Sequence, residues 1–115
     1  MLGTISLPAA ARAHAAALAL PSSGSAPFPA VVGIHDIYGY SRDLRRHCER
    51  VADAGYGAIG PDLYQGGKPG CVVKTLRSMV TNEGCAFEII DAARAHLASR
   101  DDVDSDRIAV AGFCM

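Results

Sequence analysis

The sequence predicts an α/β fold built on a mostly parallel sheet. Three observations carry this. Short apolar runs alternate with stretches of helical periodicity, each run ends in a loop rich in Gly, Pro, Asp or Tyr, and residues 106–115 pass from polar to apolar before turning at Gly112. Strand, helix, strand, helix, strand is the pattern of a parallel sheet with helices packed on it. Ligands of such sheets bind outside the carboxyl ends of the strands.

The elements follow in order. Residues 3–7 and 13–20 fit either a hairpin or, for the Ala-rich second stretch, a helix by propensity. Residues 21–29 hold Pro, Ser and Gly and form a surface loop. An apolar run over 30–35 is a buried strand, and 36–40 is the loop at its end. Ser41 is an N-cap; Leu44, Cys48 and Val51 recur at helical spacing, and Gly55 suits the residue just past the helix. Residues 56–60 form the next strand, closed by Pro61 and Asp62. A short helix is expected over 72–80, and a longer one capped by Asn82 with Ala86, Ile90, Ala93 and Leu97 on its buried face. After a polar turn at 101–105, residues 107–111 form a last strand, apolar enough to be covered on both faces in a complete sheet; in residues 1–115 alone it is expected to be an edge with one face uncovered. No internal repeat is visible, and residues 1–115 suit one domain.

Composition narrows the function classes. Half the residues (50%) are hydrophobic and the net charge is -1, so nothing points electrostatically to nucleic acid or to an anionic membrane surface. No apolar run approaches the roughly 18 residues of a membrane span. The Ala-rich stretch 9–20 departs from a signal peptide, because Arg12 and His14 lie inside it and only residues 15–20 follow before Pro21. The 4 cysteines, Cys48, Cys71, Cys85 and Cys114, show no zinc-type spacing and read as free thiols of a cytoplasmic protein. No metal or organic cofactor is implied.

The chemistry concentrates at the strand ends. Gly112-Phe113-Cys114-Met115, arriving straight off a strand, has the form of the nucleophile elbow of an α/β-hydrolase with Cys in place of Ser. A sharp strand-to-helix turn leaves no room for a side chain two residues before the nucleophile, hence Gly112. The helix expected next would aim its free N–H groups at the sulfur and favour thiolate. The bland reading of Cys114 is a small buried apolar residue; its place on the elbow favours the nucleophile. Asp36 reads either as a turn residue or as a site carboxylate, and Asp62 as a turn or cap residue. His35 adjoins Asp36, but neighbours on a strand point to opposite faces, so His35 is expected to be structural. His47 and His96 lie in helices among charged residues and are expected to be solvated. Residues 66–70, Gly66-Gly67-Lys68-Pro69-Gly70, lack the spacing of a phosphate-binding loop and read as a flexible loop near the site mouth. Cys48 and Cys85 fall on apolar helix faces, Cys71 in a loop.

Three stretches, residues 29–39, 54–64 and 104–115, contain His35-Asp36-Ile37, Pro61-Asp62-Leu63-Tyr64 and Gly112-Phe113-Cys114-Met115. In this combination the chain resembles the amino-terminal half of a dienelactone hydrolase. The resemblance implies an α/β-hydrolase fold that starts with a β-hairpin, with strands near Ile5 and Leu18 despite Ala propensity. It also implies hydrolysis of a small ester or lactone by a Cys-His-Asp triad. The nucleophile maps onto Cys114, the oxyanion-hole N–H groups onto Ile37 and Met115, and a carboxylate beside the nucleophile onto Asp36, where the best-known members carry Glu. The elbow expects a small residue and a helix after residue 115, and the triad Asp and His later still. The other reading, from a different class, is a truncated or remnant half-domain without catalysis, at most an interaction module. Substrate identity and oligomeric state stay open.

Overall fold

In the computed structural model, Leu2–Ala9 (β1) and Arg12–Ala19 (β2) pair as an antiparallel hairpin, with Leu2 opposite Ala19 and Ile5 opposite Ala16. The structure describes residues 2–9, 12–35, 39–64, 73, 76–77, 81 and 85–112, with backbone alone for Ala9, Arg12 and Cys85. The hairpin overrides the helical propensity of the alanines because β2 is an interior strand, paired with β1 on one side and with Gly57–Pro61 (β4) on the other. Ala16, Ala17 and Ala19 are fully buried there. Small side chains let helices pack closely on both faces, a tertiary gain that outweighs an intrinsic preference of a few tenths of a kcal/mol, roughly, per residue.

Phe28–Ile34 (β3) runs parallel to β4 and, on its other side, to Val103–Gly112 (β5). The sheet order is β1-β2-β4-β3-β5. Two helices connect the parallel strands, Arg42–Asp53 (α1) between β3 and β4 and Cys85–Ala98 (α2) before β5. This is the predicted α/β arrangement, with a hairpin start followed by β-α-β-α-β.

Strand periodicity divides the core in two. Ala16 and Leu18 face one way, into a cluster with Leu7, Val32, Ile59, Ala93 and Leu97 beneath α2. Ala17 and Ala19 face the other way, against Cys48 and Ala52 of α1. Full burial of a side chain such as Ile59 or Leu97 contributes about 1.5–3 kcal/mol.

Helix α1 starts as predicted: the Ser41 hydroxyl accepts the Leu44 N–H at 3.4 Å. It ends at Gly55, whose φ of +98° suits glycine. Leu44, Cys48 and Ala52 are its buried residues, one turn apart. In α2 the fully buried positions are Ala86, Ile89, Ala93 and Leu97. Ile90, expected on that face, is half-buried at the edge of the stripe. The short helix expected over 72–80 is seen at Val73, Leu76 and Arg77, all exposed; its other residues, and Asn82, lie outside the described residues. The turn into β5 is held by a two-bond fork from Arg100 to the Asp102 carboxylate, at 2.8 and 3.0 Å. That fork holds the Asp102 carboxyl below the usual carboxylate range.

The last strand is present, and in residues 1–115 it has the open edge and uncovered face expected of it: Ala109 is exposed and Val110 is 57% exposed. β5 stands at the end of the sheet order, and among the described residues it is bonded to β3 only.

Candidate active site

The carboxyl ends of β3, β4 and β5 point the same way, since both pairings with β3 are parallel. At that edge lie His35, the turn Asp62-Leu63-Tyr64, and Gly112. The register is informative. Ile34 of β3 is the partner of Gly112 of β5. Asp36 and Cys114 therefore each follow a member of that pair by two residues. Asp36, Ile37, Cys114 and Met115 themselves lie outside the described residues, as do residues 66–70 and Cys71.

What is described is the support beneath that edge. His35 is buried, and its Nε2 accepts the Leu63 N–H at 3.0 Å. A bare Nε2 in a neutral imidazole puts the ring proton on Nδ1. The His35 ring meets Tyr64 edge to face, with centroids 4.7 Å apart and planes at 64°, a favoured aromatic geometry. Asp62 is also buried; its Oδ1 accepts the Tyr64 N–H at 3.0 Å, while its own N–H donates to the Ala15 carbonyl at 2.8 Å. Both residues thus take the structural parts expected of them, His35 as a buried acceptor and Asp62 as an Asx turn.

The return of the chain after β3 is equally constrained. Gly39 has φ +82°, and a Cβ there would lie 2.7 Å from Cδ2 of Tyr64. The Arg45 guanidinium donates to the Tyr40 hydroxyl at 3.0 Å and to Thr4 Oγ1 at 2.8 Å, tying this segment to α1 and to the hairpin. Sequence reasoning quoted Tyr64 in a motif without giving it a part. Its signal was an aromatic ring just past a strand, within reach of a glycine in the neighbouring loop.

The remaining candidates separate clearly. Cys48 is buried and its thiol is pushed up to about 11 by burial, which leaves it an inert core residue, as expected. The Cys85 side chain is outside the described residues. His47 is half-buried rather than solvated. His96 is also half-buried, and its Nε2 is enclosed with no hydrogen-bond partner among the described residues. Burial, then the charge of Arg100, lowers its pKa. Among the described residues no group of three or more His, Cys, Asp or Glu could hold a metal ion. No described helix is long and apolar enough to cross a membrane.

The fold and the edge have counterparts. A carboxymethylenebutenolidase, so named provisionally, from Yersinia pestis is 29% identical over 117 residues, covering 97% of this chain and 44% of the relative. One from Escherichia coli K12 is 34% identical over 101 residues, covering 84% of this chain and 37% of its own length. The chain thus spans less than half the length of these curated relatives. Among solved structures, a dienelactone hydrolase, again provisionally named, from Klebsiella pneumoniae superposes with a TM-score of 0.70 at 26% identity, over 99% of this chain and 50% of that one. A dienelactone hydrolase-like promiscuous phosphotriesterase from metagenomic libraries shares the fold with a TM-score of 0.81 at 19% identity, covering 99% of this chain and 49% of that one. The sequence pattern of the dienelactone hydrolase family matches residues 15–115, from within β2 onward, and on this match the chain belongs to the dienelactone hydrolase family.

Proposed function

We propose that the protein hydrolyses a small ester or lactone with Cys114 as nucleophile. The observation that carries this reading is the Ile34–Gly112 register pair, which brings the segments leading to Asp36 and Cys114 side by side at the carboxyl edge of a hydrolase-type sheet. Family membership over residues 15–115 supports it, as do relatives named for carboxymethylenebutenolide hydrolysis.

The triad His takes the proton of the Cys114 thiol as the sulfur adds to the substrate carbonyl carbon. The carbonyl π pair moves onto oxygen, where the N–H groups of Ile37 and Met115 stabilise the oxyanion. Collapse expels the alkoxide, which takes a proton from the triad His. Water then attacks the thioester, releases the acid and returns the thiol. The His and Asp of the triad belong to sequence beyond these residues, in the chain order of this fold. By the family resemblance Asp36 stands for the carboxylate beside the nucleophile, one methylene shorter than the Glu of the best-known members. The protein acts in the cytoplasm on a small molecule and needs no cofactor.

The test uses the full-length gene product and an aryl ester. Cys114→Ala is expected to abolish turnover, and iodoacetamide to modify Cys114 fastest of the cysteines, with Cys48 protected by burial and a raised pKa. Full activity in the Ala variant, or equal labelling of all the thiols, contradicts the reading and leaves the non-catalytic half-domain in its place.

A further inference from the structure

We propose that His35 is a positioning residue: with Tyr64 it clamps the chain on both sides of residues 36–38 to the turn that follows β4. The inference rests on the reading of this edge as the active site. Its parts are all described. On the upstream side, His35 Nε2 accepts the Leu63 N–H at 3.0 Å and the His35 ring packs against Tyr64. On the downstream side, Gly39 lies against the same Tyr64 ring, so close that a Cβ would come within 2.7 Å of Cδ2. The backbone that carries the ring is held by the Asx turn, in which Asp62 Oδ1 accepts the Tyr64 N–H. One aromatic ring therefore touches both ends of a three-residue connection that begins with Asp36 and includes Ile37.

The clamp depends on chemistry and not on bulk alone. Position 35 presents an acceptor to the Leu63 N–H; a side chain of equal size without one removes that buried bond. A small displacement of the connection shifts the groups it carries relative to Cys114, and misplacement by about 1 Å costs up to about 100-fold in rate.

The experiment compares His35→Gln, which restores an acceptor near the position of Nε2, with His35→Met, which has similar length and no comparable acceptor. In the full-length gene product, Met is expected to lower kcat on an aryl ester about tenfold with KM changed less than about twofold, and Gln to recover most of the loss. Gly39→Ala, which acts on the same ring from the other side, is expected to lower kcat in the same way. The wild-type protein is also examined by imidazole ¹⁵N NMR at pH 8, where His35 should show a protonated Nδ1 and a bare Nε2, and by exchange of the Leu63 amide, which should be slow in wild type and Gln and fast in Met. Equal kcat in the Gln and Met variants, or a protonated Nε2, overturns the clamp. If the wild type has no esterase activity, the proposed function fails, and the NMR and exchange results alone decide whether the clamp exists.

Discussion

At the scale of single residues, the structure separates histidines that look alike in sequence. His35 is buried and used as an acceptor, while His96 is enclosed without a partner among the described residues and disfavours its charged form. The second case carries a pH dependence with a definite sign. The unfolded chain takes up a proton at this histidine near pH 6.5, whereas the folded chain takes it up at lower pH, because burial and then Arg100 oppose the charge. Below about pH 6.5 the unfolded state therefore binds more protons, and stability falls as pH falls until the folded His96 is protonated too. His96→Gln should lose less melting temperature than wild type between pH 7.5 and 5.5; identical losses would show that His96 does not contribute. The sequence placed both histidines on the right elements, but burial of one ring nitrogen depends on the exact rotation of α2, which a pattern of apolar positions fixes only to within a residue. Ile89 standing where Ile90 was expected has the same origin.

At the scale of elements, β5 is the most consequential. Its apolar run reads as an interior strand of a complete sheet that becomes an edge in residues 1–115, and it stands at the end of the sheet with Val110 57% exposed. Periodicity reports what a strand is able to bury; it does not report its neighbours. The exposed edge offers unpaired backbone groups and an apolar face to another chain. In the polypeptide of residues 1–115, Val110→Lys is expected to reduce self-association in light scattering while leaving the melting temperature within a few degrees. Unchanged association would mean that contacts elsewhere drive it. The hairpin is the opposite case. Composition pointed β2 toward helix, and the family resemblance was needed to expect a strand. The physical reason appears in the fold, where Ala16, Ala17 and Ala19 occupy a strand packed from both sides.

At the scale of the whole molecule, the radius of gyration is 13.4 Å, close to the roughly 13 Å of a compact domain of about this size. The α/β alternation and the direction of the parallel pairs were legible, because apolar runs, helical periodicity and turn residues encode them; the strand order was not read from the sequence, and parts of two of the three motifs lie outside the described residues. Any further site residues were not legible, since the chain spans 44% of the Yersinia relative. The polypeptide of residues 1–115 alone is accordingly expected to turn over no aryl ester above background and to unfold at lower temperature than the full-length gene product. Turnover that depends on Cys114 in the isolated polypeptide would contradict the first expectation, and an equal melting temperature the second.

The pairing register also supplies a ruler. Leu2, Ala19, Ala58, Val31 and Ala109 are successive partners in a single row across the sheet. The four steps between its ends, at about 4.8 Å each, set Leu2 and Ala109 roughly 19 Å apart. That separation suits dipolar spectroscopy between two nitroxide spin labels. With one label on each end of the row, slippage or opening of any ladder would appear as a longer or broader distance distribution, with the cysteines left untouched by the measurement if labels are introduced through unnatural amino acids.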